Sequence, residues 1–210
     1  MDETRSKSDR IRDGAFSVLL NEGLTGLSLD RVAKSAGVSR QLVRYYFPGD
    51  DDLMIAICDH LTELYRDLLI RNVVGRADGD RLRIFFDFYF DLLDGTAKPR
   101  DDQVYDALFS LAAGSPAIRE HLRGQYTLLG QALAHEIRTC HQTIPMKSCS
   151  EIAYLFVAIM YGHWKMVASL GLSKDHRLVS RQAINRIVGS YLANPEPVAD
   201  VKVWGREPKA

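Results

Sequence analysis

The chain has little that points to catalysis, metal binding or a membrane. Its three cysteines, Cys58, Cys140 and Cys149, are odd in number and fall at no metal or redox spacing, as expected of reduced packing thiols in a cytoplasm. The histidines, His60, His121, His135, His141, His163 and His176, include no pair one helical turn apart around an acid, so no metal site is expected. No Gly-rich phosphate loop, nucleophile elbow or partnered carboxylate pair occurs, so no catalytic residue and no cofactor is assigned and the chain is read as a non-enzyme. The longest apolar run, 152–164, falls short of the roughly 18 residues a membrane span needs. The charged start MDETRSKSDR is no signal peptide, so a cytoplasmic protein without a membrane partner is expected.

Charge of one sign is missing too. Lys and Arg number 27 and Asp and Glu 27, so any attraction to nucleic acid has to come from local clusters. Residues 1–47 hold eight bases against six acids, a net of +2, so a single copy should hold any polyanion weakly and two copies presented together should hold it better. Strand-like alternation of useful length is absent, and Pro99, Pro116 and Pro145 sit at boundaries or first turns. With 46% hydrophobic residues in 210, the chain can bury a real core, and the fold class expected is all-α.

What is present is concentrated in 29–47, LDRVAKSAGVSRQLVRYYF. Two helices crossing steeply over a short turn need a small side chain where they touch and a turn residue that accepts positive φ. Ala33 and Gly37 meet those needs at an offset of four, and Val32, Ala36, Val38, Val43 and Tyr46 fall where apolar side chains would seal the pair. Ser28 and Ser39 stand at the N-cap positions of the two helices. The alternative is a pair of ordinary bundle helices with a Gly C-cap.

Helix-turn-helix geometry leaves Arg40, Gln41, Arg44 and Tyr45 facing outward on the second helix, and these, with Ser28 and Ser39, are the expected DNA-contacting residues. Arg can fork onto guanine and Gln onto adenine, each good pair giving about 1–3 kcal/mol of discrimination. Leu42 is expected at a base-edge methyl, and Val43, Tyr46 and Phe47 as packing. Arg5 and Lys7 precede a first helix expected over 9–22, ended by Gly23, in a tail read mainly as solvated.

The run GLTGLSLDRVAKSAGVSRQLVRYYFPGDDDL resembles the DNA-binding domain of the TetR family of bacterial transcriptional regulators. The resemblance covers about the first quarter of the chain and rests on the Ala36-Gly37-Val38-Ser39 turn, the Tyr45-Tyr46-Phe47 helix end and the acidic-then-Leu start of the next helix. Two positions depart from the family pattern. Arg44 stands where many members carry tyrosine, and Asp50 where a phosphate-binding lysine is usual. Asp50 suits a helix N-terminus but repels phosphate, so Arg44 is expected to replace the lost contact.

After the motif (1–50), a connector helix over 51–74, a helical domain over 75–194 and a mobile tail over 195–210 are expected. Further helices are expected over 80–93, 101–114, 115–140, 148–170 and 175–193. The aromatic set Phe86, Tyr89, Phe90, Tyr105, Phe109, Tyr126, His163 and Trp164 either lines an apolar pocket or fills a core; the resemblance favours a pocket for a small effector. The last two helices carry apolar bands and small residues such as Ala153, Ala158, Gly162 and Ala168. They read as half of a four-helix homodimer interface, with an intrachain core as the competing reading.

The resemblance implies a homodimeric repressor that binds double-stranded DNA at a pseudo-palindromic operator and is released by an unknown small-molecule effector. The alternative is a helical ligand-binding or interaction protein in which Asp50 and low local charge have weakened DNA binding.

Overall fold

The computed structural model describes residues 6–49, 51–74, 81–95, 101–198 and 202–204. These residues form helices and contain no strand: α1 (Lys7–Gly26), α2 (Leu29–Ala36), α3 (Arg40–Tyr46), α4 (Asp52–Val74), α5 (Arg81–Tyr89), α6 (Asp102–Gly114), α7 (Pro116–Cys140), α8 (Met146–Leu170) and α9 (His176–Ala193). All-α architecture is therefore observed. Two compact units divide the chain, Met1–Asp67 with Pro99–Gly124, and Leu68–Lys98 with Gln125–Ala210. The units are not consecutive in sequence. α6 and the start of α7, expected in the C-terminal domain, pack in the first unit.

In the first unit, α1 begins two residues earlier than expected because Ser6 caps it. The Asp9 amide donates to the Ser6 hydroxyl at 3.1 Å while the Ser6 amide donates to the Asp9 carboxylate at 3.3 Å, a reciprocal capping box. Ile11, Ala15, Val18 and Leu19 form its buried stripe. Gly23, at φ 66° and ψ −169°, breaks the helical path where the helix was expected to end, although helical turns resume to Gly26. Packing against α2 depends on Gly14: a Cβ there would lie 2.9 Å from the Ala36 amide nitrogen, so only glycine lets the two backbones come this close. α6 packs on α1, and the first half of α4 buries Leu53, Met54, Ile57, Cys58 and Leu61. Polar ties complete the unit. The Tyr65 hydroxyl donates to Asp101 at 3.0 Å, and His121 Nε2 lies 2.6 Å from Asp59.

The second unit is built around an aromatic core. Phe85, Phe86, Phe90 and Phe156 are buried together with Leu133, Ile137, Ile152, Met160 and Ile184. α5 stops at Tyr89, short of the expected 93. The chain turns there, with Asp91 at φ 54°, and side chains satisfy the terminal carbonyls: Trp164 Nε1 donates to Tyr89 O at 2.9 Å and Arg177 Nη1 to Asp91 O at 3.0 Å. α8 buries Ile152, Ala153, Phe156 and Val157. Its other side is open, with Tyr154, Met166 and Leu170 exposed by 49%, 52% and 69%.

The tail after α9 is not free where it is described. Ser148 Oγ donates to Pro195 O at 2.6 Å, and the Val198 amide donates to Glu151 at 2.9 Å. Trp204 lies so close over Gly130 of α7 that a Cβ there would collide with the indole, and its ring meets Tyr154 edge-on. Of the tail expected as mobile over 195–210, the described residues lie against α7 and α8, where Glu151 offers an acceptor and Gly130 a flat seat.

Candidate nucleic-acid interface

Two serines and one glycine set the motif. Ser28 accepts from the Arg31 amide at 3.3 Å and Ser39 from the Leu42 amide at 3.2 Å, so both hydroxyls cap their helices as expected. Between them Gly37 takes the left-handed conformation at φ 63°, and the Val38 amide donates back to Ala33 O at 3.0 Å. Val32, Ala33 and Ala36 of α2 and Val43 of α3 are buried against each other and α1. A contact not foreseen from sequence locks the corner: Arg10 Nη2 donates to Ala36 O at 3.0 Å, satisfying a terminal carbonyl of α2. In the sequence Arg10 is only one base among eight, and the signal that could have found it is its position, one turn before Gly14 on the face that meets α2.

Val43 is the buried anchor of α3, and Arg40, Gln41, Arg44 and Tyr45 are exposed, Tyr45 by 77%. The two capping serines are exposed as well. Tyr46, expected as packing, is itself 38% exposed and stands edge-on to Tyr45 at 5.2 Å; α3 is so short that its last turn overhangs the core. Leu42 is half-buried.

The charges on this surface differ in freedom. Arg40 is ion-paired with Asp30 of α2, and Arg31 with Glu22. No acid among the described residues meets Arg44 or Lys34. Arg44 is therefore a ready cation on the reading helix, whereas the charge of Arg40 is partly offset by Asp30. Asp50 and Arg5 lie outside the described residues.

The aromatic candidates divide between the units. Tyr105 and Phe109 are on α6 in the first, where Tyr105 packs edge-on against Tyr65 with ring centroids 6.3 Å apart. Phe86, Tyr89, Phe90, Tyr126, His163 and Trp164 belong to the second. There Phe90 and Trp164 flank His163 at 5.8 and 4.8 Å, and Tyr89 packs on Phe85, Phe88 and Phe156. Burial pushes the Tyr89 phenol well above its usual range, keeping it neutral. It also holds the His163 imidazole below its ordinary value, helped by His176 and Arg177 and opposed by Asp91. His163 Nε2 is buried with no hydrogen-bond partner among the described residues. Phe86, Tyr89, Phe90, Tyr126 and Trp164 belong to one core cluster, with the His163 imidazole between Phe90 and Trp164.

A short recognition helix with an exposed polar and cationic face, capped and braced by two neighbouring helices, is the architecture of a helix-turn-helix DNA reader. The family model described as "Bacterial regulatory proteins, tetR family" matches residues 11–57. The biofilm operon icaADBC negative transcriptional regulator IcaR of Staphylococcus epidermidis is 20% identical over 190 residues, covering 88% of this chain and 98% of that protein. Among solved structures, the multidrug binding protein EbrR complexed with imidazole superposes with a TM-score of 0.65 at 20% identity, covering 87% of this chain and 95% of the other. A transcriptional regulator from Saccharomonospora viridis in complex with choline gives a TM-score of 0.69 at 22% identity, covering 87% and 95%. At these identities the structures share the fold. The family match is confined to residues 11–57, the helix-turn-helix with α1 and the start of α4, and on it and the regulators it resembles the chain is a DNA-binding transcriptional regulator.

Proposed function

We propose that the protein is a homodimeric repressor that grips a pseudo-palindromic operator through two copies of α3 and lets go when a small molecule enters its second unit. The observation carrying this reading is the exposed row Gln41, Arg44 and Tyr45 on a capped helix whose inner face is held by Val43. Arg44 supplies a guanine or phosphate contact, Gln41 an adenine contact, and the Ser28 and Ser39 hydroxyls reach phosphate from the helix starts. In a dimer the two helices enter major grooves about 34–36 Å apart, which doubles contacts that are weak singly.

Pairing through α8 and α9 is supported by apolar side chains left open on one copy, Tyr154, Met166 and Leu170 on α8 and Val179 on α9. The effector is proposed to contact Phe86, Tyr89, Phe90, Tyr126, His163 and Trp164; Tyr105 and Phe109, in the other unit, are left out. Aromatic faces suit a flat or cationic organic molecule, and His163 Nε2 offers a hydrogen bond not already used. The imidazole and choline complexes of structurally similar proteins support a small organic effector. Coupling of only about 1–3 kcal/mol would change operator affinity some 5- to 150-fold. As in most regulators, the site of action is the cytoplasm.

The test is to select operator fragments from the source genome with the purified protein, then measure mass in solution and salt-dependent DNA binding. A dimer at micromolar concentration whose operator affinity falls steeply with salt is expected. A monomer without salt-sensitive DNA binding overturns the reading.

A further inference from the structure

An open groove of about 260 Å³ runs along the second unit between α5 and α9, with His141 at the end of α7 on its rim. Its apolar lining comes from Leu82, Phe86, Val188 and Leu192, and its polar lining includes two cations, Arg83 and Arg181, beside the Asn185 amide. The charge arrangement is unusual. Arg181 has a side chain only 8% exposed, with Nε donating to Asp87 at 2.7 Å and its guanidinium stacked over the Phe86 ring at 5.1 Å from the centroid. Arg83 meets the other oxygen of the same carboxylate at 3.1 Å. Two guanidiniums thus meet one carboxylate on the wall of the groove.

The guanidinium of Arg181 also has donors to spare. Nε is taken by Asp87 and one Nη1 proton by the Asn185 amide oxygen; no other acceptor among the described residues meets it. A nearly buried cation with unused N–H groups, fixed in plane by an aromatic ring and bordered by apolar side chains, is built to meet an anion that carries a hydrophobic body. Gly189 leaves room for that body, since a Cβ there would meet nothing within 4 Å.

We propose that this groove binds a small organic anion, a monocarboxylate whose apolar part lies along Leu82, Phe86 and Leu192 and whose carboxylate meets Arg181. The site stands apart from the proposed effector contacts, sharing only Phe86, and does not depend on that reading.

The test uses octanoate and its uncharged counterpart octanamide, titrated calorimetrically into the full-length protein. Octanoate is expected to bind at least 10-fold more tightly than octanamide. Gly189→Met, which extends a side chain into open space and suits a helix, is expected to weaken octanoate at least 10-fold with the circular dichroism spectrum unchanged. Arg181→Lys, which keeps the charge and loses the planar fork, is expected to weaken it several-fold. Equal binding of the two probes, or no octanoate binding at millimolar concentration, overturns the proposal. So does octanoate binding unchanged in Gly189→Met, and if that binding is then lost in His163→Ala the ligand sits in the aromatic core cluster, leaving the effector reading intact.

Discussion

Arg44 and Arg181 show how differently the two units use the same side chain. Arg44 stands in water on a two-turn helix, with no acid among the described residues to neutralise it. Arg181 is buried over a phenylalanine and paired with Asp87. The first unit makes a rigid frame so that its chemistry can face outward toward a large polyanion. The second draws its polar groups inward among aromatic rings. Outward chemistry needs only a face of a helix, which periodicity reveals, whereas inward chemistry needs several helices brought together.

The contrast would break most visibly at two glycines. Gly14→Val drives side-chain atoms into the Ala36 backbone, which cannot step aside, and should cost about 1–3 kcal/mol in urea unfolding while weakening DNA binding in parallel. Gly130→Ala meets only the indole of Trp204, which can swing away. Improved helix propensity of about 1 kcal/mol offsets much of the lost packing, so stability should change little while Trp204 fluorescence shifts to the red. Equal losses at the two sites would mean that the tail contact is as integral as the α1–α2 corner.

Ser39→Ala removes the cap of α3 and should lower stability by about 1 kcal/mol, with a larger proportional loss in operator binding because the hydroxyl sits at the reading surface. Asp30→Asn frees Arg40 and should raise affinity for DNA a few-fold, steepening the salt dependence by about 0.9 for each additional phosphate neutralised. An unchanged slope would show that Arg40 does not reach phosphate. The smallest effect expected is at high pH. The Tyr191 hydroxyl donates to Glu151 at 2.8 Å, and burial followed by that hydrogen bond pushes its pKa up to about 12. The folded state thus holds the phenol proton more tightly than the unfolded chain. That stabilisation is complete below pH 10 and is lost between about 10 and 12, so Tyr191→Phe should flatten alkaline unfolding in that window.

Much of the frame was legible because local rules and tertiary demands coincide in it. Ser28, Gly37 and Ser39 mark helix ends whose caps form as expected, and Val43 falls on the buried side of α3. The helical layout followed for the same reason, since most apolar bands find a neighbour within their unit. Less visible were contacts between residues far apart in sequence. Arg10 stands one turn before Gly14 on one helix face, but that spacing does not say that the partner of both is Ala36. The early stop of α5 depends on Trp164 and Arg177 arriving from α8 and α9 to take its carbonyls. Aromatic density marked the second unit as unusual, yet it could not place Tyr105 and Phe109 in the other one, since periodicity says which face of α6 is buried and not against what. The tail reads as free in sequence because its prolines say nothing of the Glu151 and Gly130 beneath it.

Arg44→Ala shows whether the outward face of α3 reads DNA. Fluorescence anisotropy of wild type and variant on a selected operator and on a scrambled duplex, at two salt concentrations, gives the answer. Losing about 1–3 kcal/mol per half-site, the variant should no longer distinguish the operator from the scrambled duplex while keeping the wild-type unfolding curve. Operator affinity and salt slope equal to wild type would contradict the account.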